Sequence, residues 1–187
     1  MCGGVGVGSN PAVVVDADNR AGGAAAVGHL LSIGRRRLAV LTGPQDMSSG
    51  RDRLDGARDA LATAGLDREA LVVAFGDYSE ESGVRAMREV LDAGLVPDAV
   101  FAASDLMAVG ALRVLREAGL RVPDDVALVG FDDSPLCRHT DPALTSVNQQ
   151  VEEMGRVMAD LLLARIAGET VPPQTVLPTR LVVRASA

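Results

Sequence analysis

The chain has no tryptophan, no lysine and very little aromatic side chain: one tyrosine and three phenylalanines make up 2% of its 187 residues. A core of this composition has to be aliphatic, so the lone Tyr78 is more informative than a tyrosine in an aromatic-rich protein. Without lysine no P-loop cation is present to neutralise a transferring phosphoryl group, and Gly43-Pro44 is not a phosphate loop. Cysteine is nearly absent. Cys2 and Cys137 lie far apart in different contexts, which leaves a disulfide unsupported and reads as an intracellular, cytoplasmic chain. No basic-then-apolar signal opens the sequence and no apolar run approaches the ~20 residues of a membrane span, so no membrane partner is expected. Excess positive charge is missing too, and a net charge of -7 offers no electrostatic footprint for nucleic acid.

What is present is 48% hydrophobic content arranged in a regular alternation. Met1 to Asn10 is Gly-rich and reads as a loop or ragged end. Ala12 to Val15 forms a strand ending in Asp16-Ala17-Asp18-Asn19, and a helix follows with Ala24, Val27, Leu30 and Leu31 on one stripe. Gly34 stops that helix. Arg35, Arg36 and Arg37 beside it invite a nucleic-acid reading, but cations at a helix C-terminus are the plainer explanation. Further strands begin near Leu38, Leu71, Ala99 and Val126, with helices from about Arg53, after Ser79 and after Ser104-Asp105. Strand and helix in this order predict right-handed crossovers building a parallel sheet, with ligands beyond the strand C-termini, where backbone donors and side chains are free. After Asp133 the pattern changes to a short extended crossing at Leu144 to Val147, a long helix from Gln150 to Ala167, and edge strands at Gln174 to Leu177 and Leu181 to Val183. The chain therefore visits a second subdomain and returns.

Seven pieces then match one family in order and spacing: His29-Leu30-Leu31-Ser32-Ile33-Gly34 with the strand ending Thr42-Gly43-Pro44, Arg51-Asp52-Arg53-Leu54-Asp55-Gly56, Gly76-Asp77-Tyr78-Ser79, Ala103 to Gly110, Val122-Pro123-Asp124-Asp125-Val126, Gly130-Phe131-Asp132-Asp133 and Leu144-Thr145-Ser146-Val147. The chain resembles the lactose/purine-repressor (LacI/GalR) family over nearly all of Val13 to Val183. The resemblance implies an α/β, type I periplasmic-binding-protein-like fold, a parallel sheet flanked by helices, with two lobes about a ligand cleft. The C-terminal lobe is expected complete, and the N-terminal lobe only partial, as in a regulator truncated at its N-terminus. Residues 1–36 are then a remnant of the N-terminal lobe, 37–143 the C-terminal lobe, 144–172 a crossover and a helix returning to the N-terminal lobe, and 173–187 edge strands of the C-terminal lobe. On this division the apolar faces of Val27, Leu31, Met154 and Leu161 are expected exposed or self-associated.

The resemblance also implies a role: sensing a small-molecule effector, a sugar or a nucleoside or purine, by lobe closure in a homodimeric regulator. DNA would be bound only through a helix-turn-helix module absent from this sequence. No cofactor, metal or catalytic residue is expected. Carried over position by position, Arg53 would clamp polar ligand groups with its rigid fork, Asp132 would accept from hydroxyls or ring nitrogens, and Tyr78 would stack on the ligand. Ser104 and Asp105 would face the same cleft, with Ser49, Asp18 and Gln149 as weaker contributors. Each has a plainer reading: Ser104 and Asp105 as helix caps, Arg53 as a partner of Asp55 or Asp132, Asp132-Asp133 as turn chemistry, and Tyr78 as core. His29 and His139 lack metal-ligand spacing. Two rivals remain. Asp77, Asp105 and Asp132 at successive strand ends could hold Mg²⁺ in an enzyme, though no nucleophile and base pair is evident. A periplasmic-type sugar-binding protein of a transporter or chemotaxis system would share the fold.

Overall fold

The computed structural model describes residues 13–94 and 96–187. Its elements run β1 (Val14–Ala17), α1 (Asn19–Ser32), β2 (Leu38–Thr42), α2 (Ser48–Thr63), β3 (Val72–Phe75), α3 (Glu80–Asp92), β4 (Ala99–Ala102), α4 (Asp105–Glu117), β5 (Ala127–Asp132), a 3-10 turn at Pro135–Arg138, β6 (Thr145–Asn148), α5 (Val151–Ile166), β7 (Gln174–Leu177) and β8 (Arg180–Val182). Six strands form one sheet in the order β3-β2-β4-β5-β6-β8, parallel except for antiparallel β8. β1 and β7 form a separate parallel pair.

The six-stranded sheet is covered on both faces, so its central strands are apolar without alternation and sort their side chains by parity alone. Ala39, Leu41, Val100 and Ala102 meet Met87, Met107, Ala111 and Leu115 of α3 and α4. Leu38, Val40, Ala99 and Phe101 meet Val27, Leu30, Leu54 and Leu61 of α1 and α2. The strand order reverses between β2 and β4. The loops leaving those two strands at their carboxyl ends therefore diverge to opposite faces and open a crevice, the usual place for a ligand in such sheets.

Two expectations need correction. α1 does not stay with β1: it lies along α2 and against β5, β6 and β8, which buries Val27 and Leu31. Its apolar stripe suits either sheet, and small residues decide the matter. A Cβ on Gly23 would stand 2.2 Å from the Arg53 carbonyl oxygen, and one on Gly56 2.0 Å from that of Arg20, so the two helices touch backbone to backbone. β7 does not extend the large sheet either, since it pairs with β1 from Val14↔Gln174 to Ala17↔Leu177. On α5, Met154 and Leu161 are half-buried while Val151, Met158, Leu162, Leu163 and Ile166 are exposed.

Smaller differences are local. α2 starts at Ser48 rather than near Arg53, and its first turn is polar, which hides it from hydrophobic periodicity. The arginine triplet is architectural: Arg35 donates to the carbonyls of Pro123 and Asp124, Arg36 to that of Leu31, and Arg37 to that of Val96. The expectations for Met1 to Asn10 and for Cys2 fall outside the described residues. No described helix is long and apolar enough to cross a membrane.

The helix contact predicts opposite effects of one substitution. Gly23→Ala and Gly56→Ala should each lower unfolding free energy by about 1–3 kcal/mol, because backbone cannot move aside for the added methyl. Gly28, in the same helix as Gly23, has nothing within 4 Å of a built Cβ. Gly28→Ala should raise stability by about 0.5–1 kcal/mol. Urea titration of the three variants checks both signs.

Candidate functional site

Arg53 stands in the second turn of α2, on the stripe of Leu54 and Ala57 that faces the sheet, and is only 3% exposed. A buried guanidinium must be partnered. Its Nε donates to Asn19 Oδ1 at 2.8 Å, and one terminal nitrogen donates to the Ala103 carbonyl at 2.5 Å and lies 3.7 Å from Asp132 Oδ1. The Phe131 ring lies 3.7 Å from the guanidinium carbon and the Tyr78 ring 5.6 Å away. Asn19 in turn donates to Asp16 Oδ1 and to the Ala17 carbonyl, both at 3.1 Å. The site is thus wired to the end of β1 through a residue that sequence reasoning passed over. Its only signal is an amide directly after the Asp18 cap.

Tyr78 occupies the turn between β3 and α3 with φ 72°, a conformation rare outside glycine. Its hydroxyl and Ser49 Oγ are 2.9 Å apart, and its ring lies against Gly43, where a Cβ would come within 2.2 Å. The neighbouring Asp77 accepts from the Ser79 hydroxyl and backbone N–H, bonds that hold its carboxyl down to about 2.

Asp132 ends β5 with φ 114° and accepts from Gln149 Nε2 at 2.8 Å. Burial pushes its carboxyl up to about 7, against the pull of Arg53 and with a further push from Asp105. A cavity of about 900 Å³ opens beside it, bounded by Pro135, Arg138, Gln150, Glu153 and Arg180. A second hollow of about 500 Å³ between α1 and α2, lined by Ala24, Gly28 and Leu31, holds none of these groups.

Arg53, Asp132, Tyr78, Ser49 and Gln149 therefore come together. Three other predicted residues face elsewhere. Ser104 caps α4 by accepting from the Met107 N–H and donates to the Tyr78 carbonyl. Asp105, 1% exposed, accepts from Ser146 Oγ at 2.6 Å and from the Ser134 N–H at 2.7 Å. Asp18 caps α1 by accepting from the Ala21 N–H. Asp77, Asp105 and Asp132 each have separate partners, and among the described residues no three His, Cys, Asp or Glu side chains gather as a metal site. Burial pushes the Cys137 thiol up to about 12, which keeps it protonated at neutral pH. The geometry combines an aromatic face with a fork donor, a carboxylate and an amide, and so suits a polyhydroxylated ring.

Residues 27–187 match the periplasmic binding protein-like domain. The chain is 54% identical over 173 residues to the HTH-type transcriptional regulator CelR of Thermobifida fusca, a match covering 92% of this chain and 51% of that regulator. It is 39% identical over 153 residues to the ribose operon repressor of Escherichia coli K12, covering 82% of this chain and 46% of the repressor. A solved complex of the transcriptional regulator CelR with cellobiose has a TM-score of 0.91 at 52% identity, covering 98% of this chain and 56% of that one. The chain spans about half the length of the curated relatives it matches.

The raised carboxyl of Asp132 sets a sign for pH. An acid held protonated in the fold contributes stability below its unfolded value near ~4, and that contribution is lost as pH rises to about 7. Asp132→Asn imitates the neutral acid and can still accept from Gln149. Its melting temperature should exceed that of the parent at pH 8, and the gap should close towards pH 4 in scanning calorimetry.

Proposed function

The chain belongs to the periplasmic binding protein-like family in the form found in LacI-type transcriptional regulators, and from that premise we propose that it is the sugar-sensing region of such a regulator. The observation that carries this reading is the convergence of Arg53, Asp132, Gln149 and Tyr78 at the reversal of strand order. Ring hydroxyls would bond Arg53, Asp132 and Gln149 while the apolar face of the ring stacks on Tyr78.

The effector we favour is a β-linked glucose disaccharide. Support comes from the 54% identity to CelR and from the fit of this chain to the cellobiose complex. Ribose is the second reading, supported by the ribose operon repressor at lower identity. These relatives are regulators, which favours sensing over transport and supports a non-catalytic role. In the proposed regulator, β1, α5 and β7 belong to one lobe and the six-stranded sheet with α1 to α4 to the other. Effector binding shifts the angle between lobes, and the energy available is the effector's differential affinity for the two arrangements. DNA contact, homodimer formation and a cytoplasmic setting belong to the same proposal.

Tyr78 is the only tyrosine in a chain without tryptophan, so intrinsic fluorescence reports on the site. Titration with cellobiose should change the emission saturably and raise the melting temperature, with ribose weaker. Arg53→Gln should weaken binding by about 10- to 100-fold, as expected for a lost charged hydrogen-bonding group. Saturation by ribose but not cellobiose would move the assignment to the second reading, and a flat response to both would overturn sugar sensing.

A further inference from the structure

Asp132 and Asp133 are consecutive non-glycine residues with positive φ, 114° and 54°. Such a pair persists only where surrounding contacts over-determine it. The contacts that do so reach the turn from the segments packed behind it. The Asp133 N–H donates to Ser146 Oγ at 3.1 Å. The Asp133 carboxylate accepts from Arg184 at 2.6 Å and from Asn148 Nδ2 at 2.8 Å. Arg184 also donates to the Leu144 carbonyl at 2.8 Å, and its ion pair with Asp133 is almost closed to solvent, at 14% and 8% exposure. On the other side, Asp105 takes the Ser146 hydroxyl on one oxygen and the Ser134 N–H on the other.

We propose that Arg184 and Asp105 are positioning residues for effector recognition: they clamp the Asp132-Asp133 turn in its left-handed conformation and so fix the direction of the Asp132 carboxylate. The proposal rests on the sugar-sensing reading of the site. The clamp ties the turn to the start of α4 through Asp105 and to the segment around β6 through Leu144, Ser146 and Asn148, so its loss removes no bond between helices. The turn is then free to relax to ordinary φ values. Asp132 swings away from Gln149 and Arg53 into solvent, and the ligand loses its acceptor although each cleft residue is still present. Asp105 acts through Ser146 and Ser134 rather than by touching the ligand. Arg184 lies 51 positions from Asp133, and the fork of a guanidinium lets it hold the carboxylate and a carbonyl together.

The test substitutes Arg184→Gln and Arg184→Lys in this chain and reads two quantities. One is the titration of the Asp132 carboxyl by carbon NMR, assigned by its absence in Asp132→Asn. Among the described residues Arg53 and Asp105 act on it directly, the adjacent Asp133 is paired with Arg184, and Arg138, Glu152, Glu153, Arg156 and Arg180 line the cavity beside it. The other is cellobiose affinity through Tyr78 fluorescence. Arg184→Gln should remain folded by circular dichroism, move the Asp132 midpoint from about 7 towards the ordinary carboxylate range, and weaken cellobiose about 10-fold. Arg184→Lys should restore part of both. An unmoved midpoint overturns the proposal even if affinity falls, since a merely structural role has that signature, and so does unchanged affinity. If the parent binds no sugar, the sensing reading fails on its own, while the midpoint still decides whether the clamp positions Asp132. Should Arg184→Gln unfold, Ser146→Ala carries the same test: it removes the acceptor of the Asp133 N–H and a partner of Asp105 but keeps the ion pair.

Discussion

The guanidinium of Arg53 is a full charge placed where almost no water reaches it, and the geometry of the site follows from satisfying it. Desolvation of such a group costs far more than one hydrogen bond returns, so several elements have to converge on it. α1 supplies Asn19, the end of β4 supplies the Ala103 carbonyl, and β5 supplies the Phe131 ring and the Asp132 carboxylate. Gly22 permits this closeness, because a Cβ there would fall 2.6 Å from the Phe131 ring. The same constraint leaves the site receptive. Arg53 and Asp132 stand 3.7 Å apart, an ion-pair separation too long for a hydrogen bond. On the proposed reading, a ligand hydroxyl bonded to both groups completes that pairing.

The second constraint is the way the chain passes between its two sheets. It crosses three times: after β1, after β6 and after β7. The crossings are bonded to one another. The Asp18 N–H donates to the Leu177 carbonyl, Thr179 Oγ1 donates to the Asp18 carbonyl, and Gln150 Nε2 donates to the Pro178 carbonyl. Site residues lie on these same segments, with Asn19 just past the first crossing and Gln149 on the second. A ligand that draws on Gln149 and Asp132 therefore acts directly on the joint between the sheets, and no longer relay through the core is needed for binding to bias their relative angle.

How legible this was depends on the range of the interaction concerned. The runs Leu38 to Leu41 and Ala99 to Ala103 announce buried parallel strands, and Ser79 and Ser104 announce helix starts, because apolar continuity and capping are local. Arg53, Asp132 and Tyr78 were visible through their place in a family pattern and do meet in space. The stripe of Ala24, Val27 and Leu31 on α1 carries no information about which sheet it faces, so local pattern alone leaves α1 with the neighbouring β1. That choice is made by Gly23 and Gly56 across more than thirty residues. β7 is short, half-exposed and only half apolar, and its partner β1 lies at the far end of the chain. Asp105 could be read equally as cap or ligand contact, and only the positions of Ser146 and Ser134 turn it inward.

The exclusive use of arginine ties these levels together. Arg35, Arg36, Arg37, Arg53 and Arg184 all donate to backbone carbonyls, and in each case the carbonyl belongs to a turn, a helix end or a residue flanking a strand. A planar fork can hold such a carbonyl and a second acceptor at once, which a lysine ammonium does with less geometric control. Cations spent on the fold in this way are not available to phosphates, and the net charge of -7 works against a polyanion in any case. In the proposed regulator, affinity for DNA therefore has to reside outside this region. The effector site can influence it only by mechanical means, through the crossings that Asn19 and Gln149 flank.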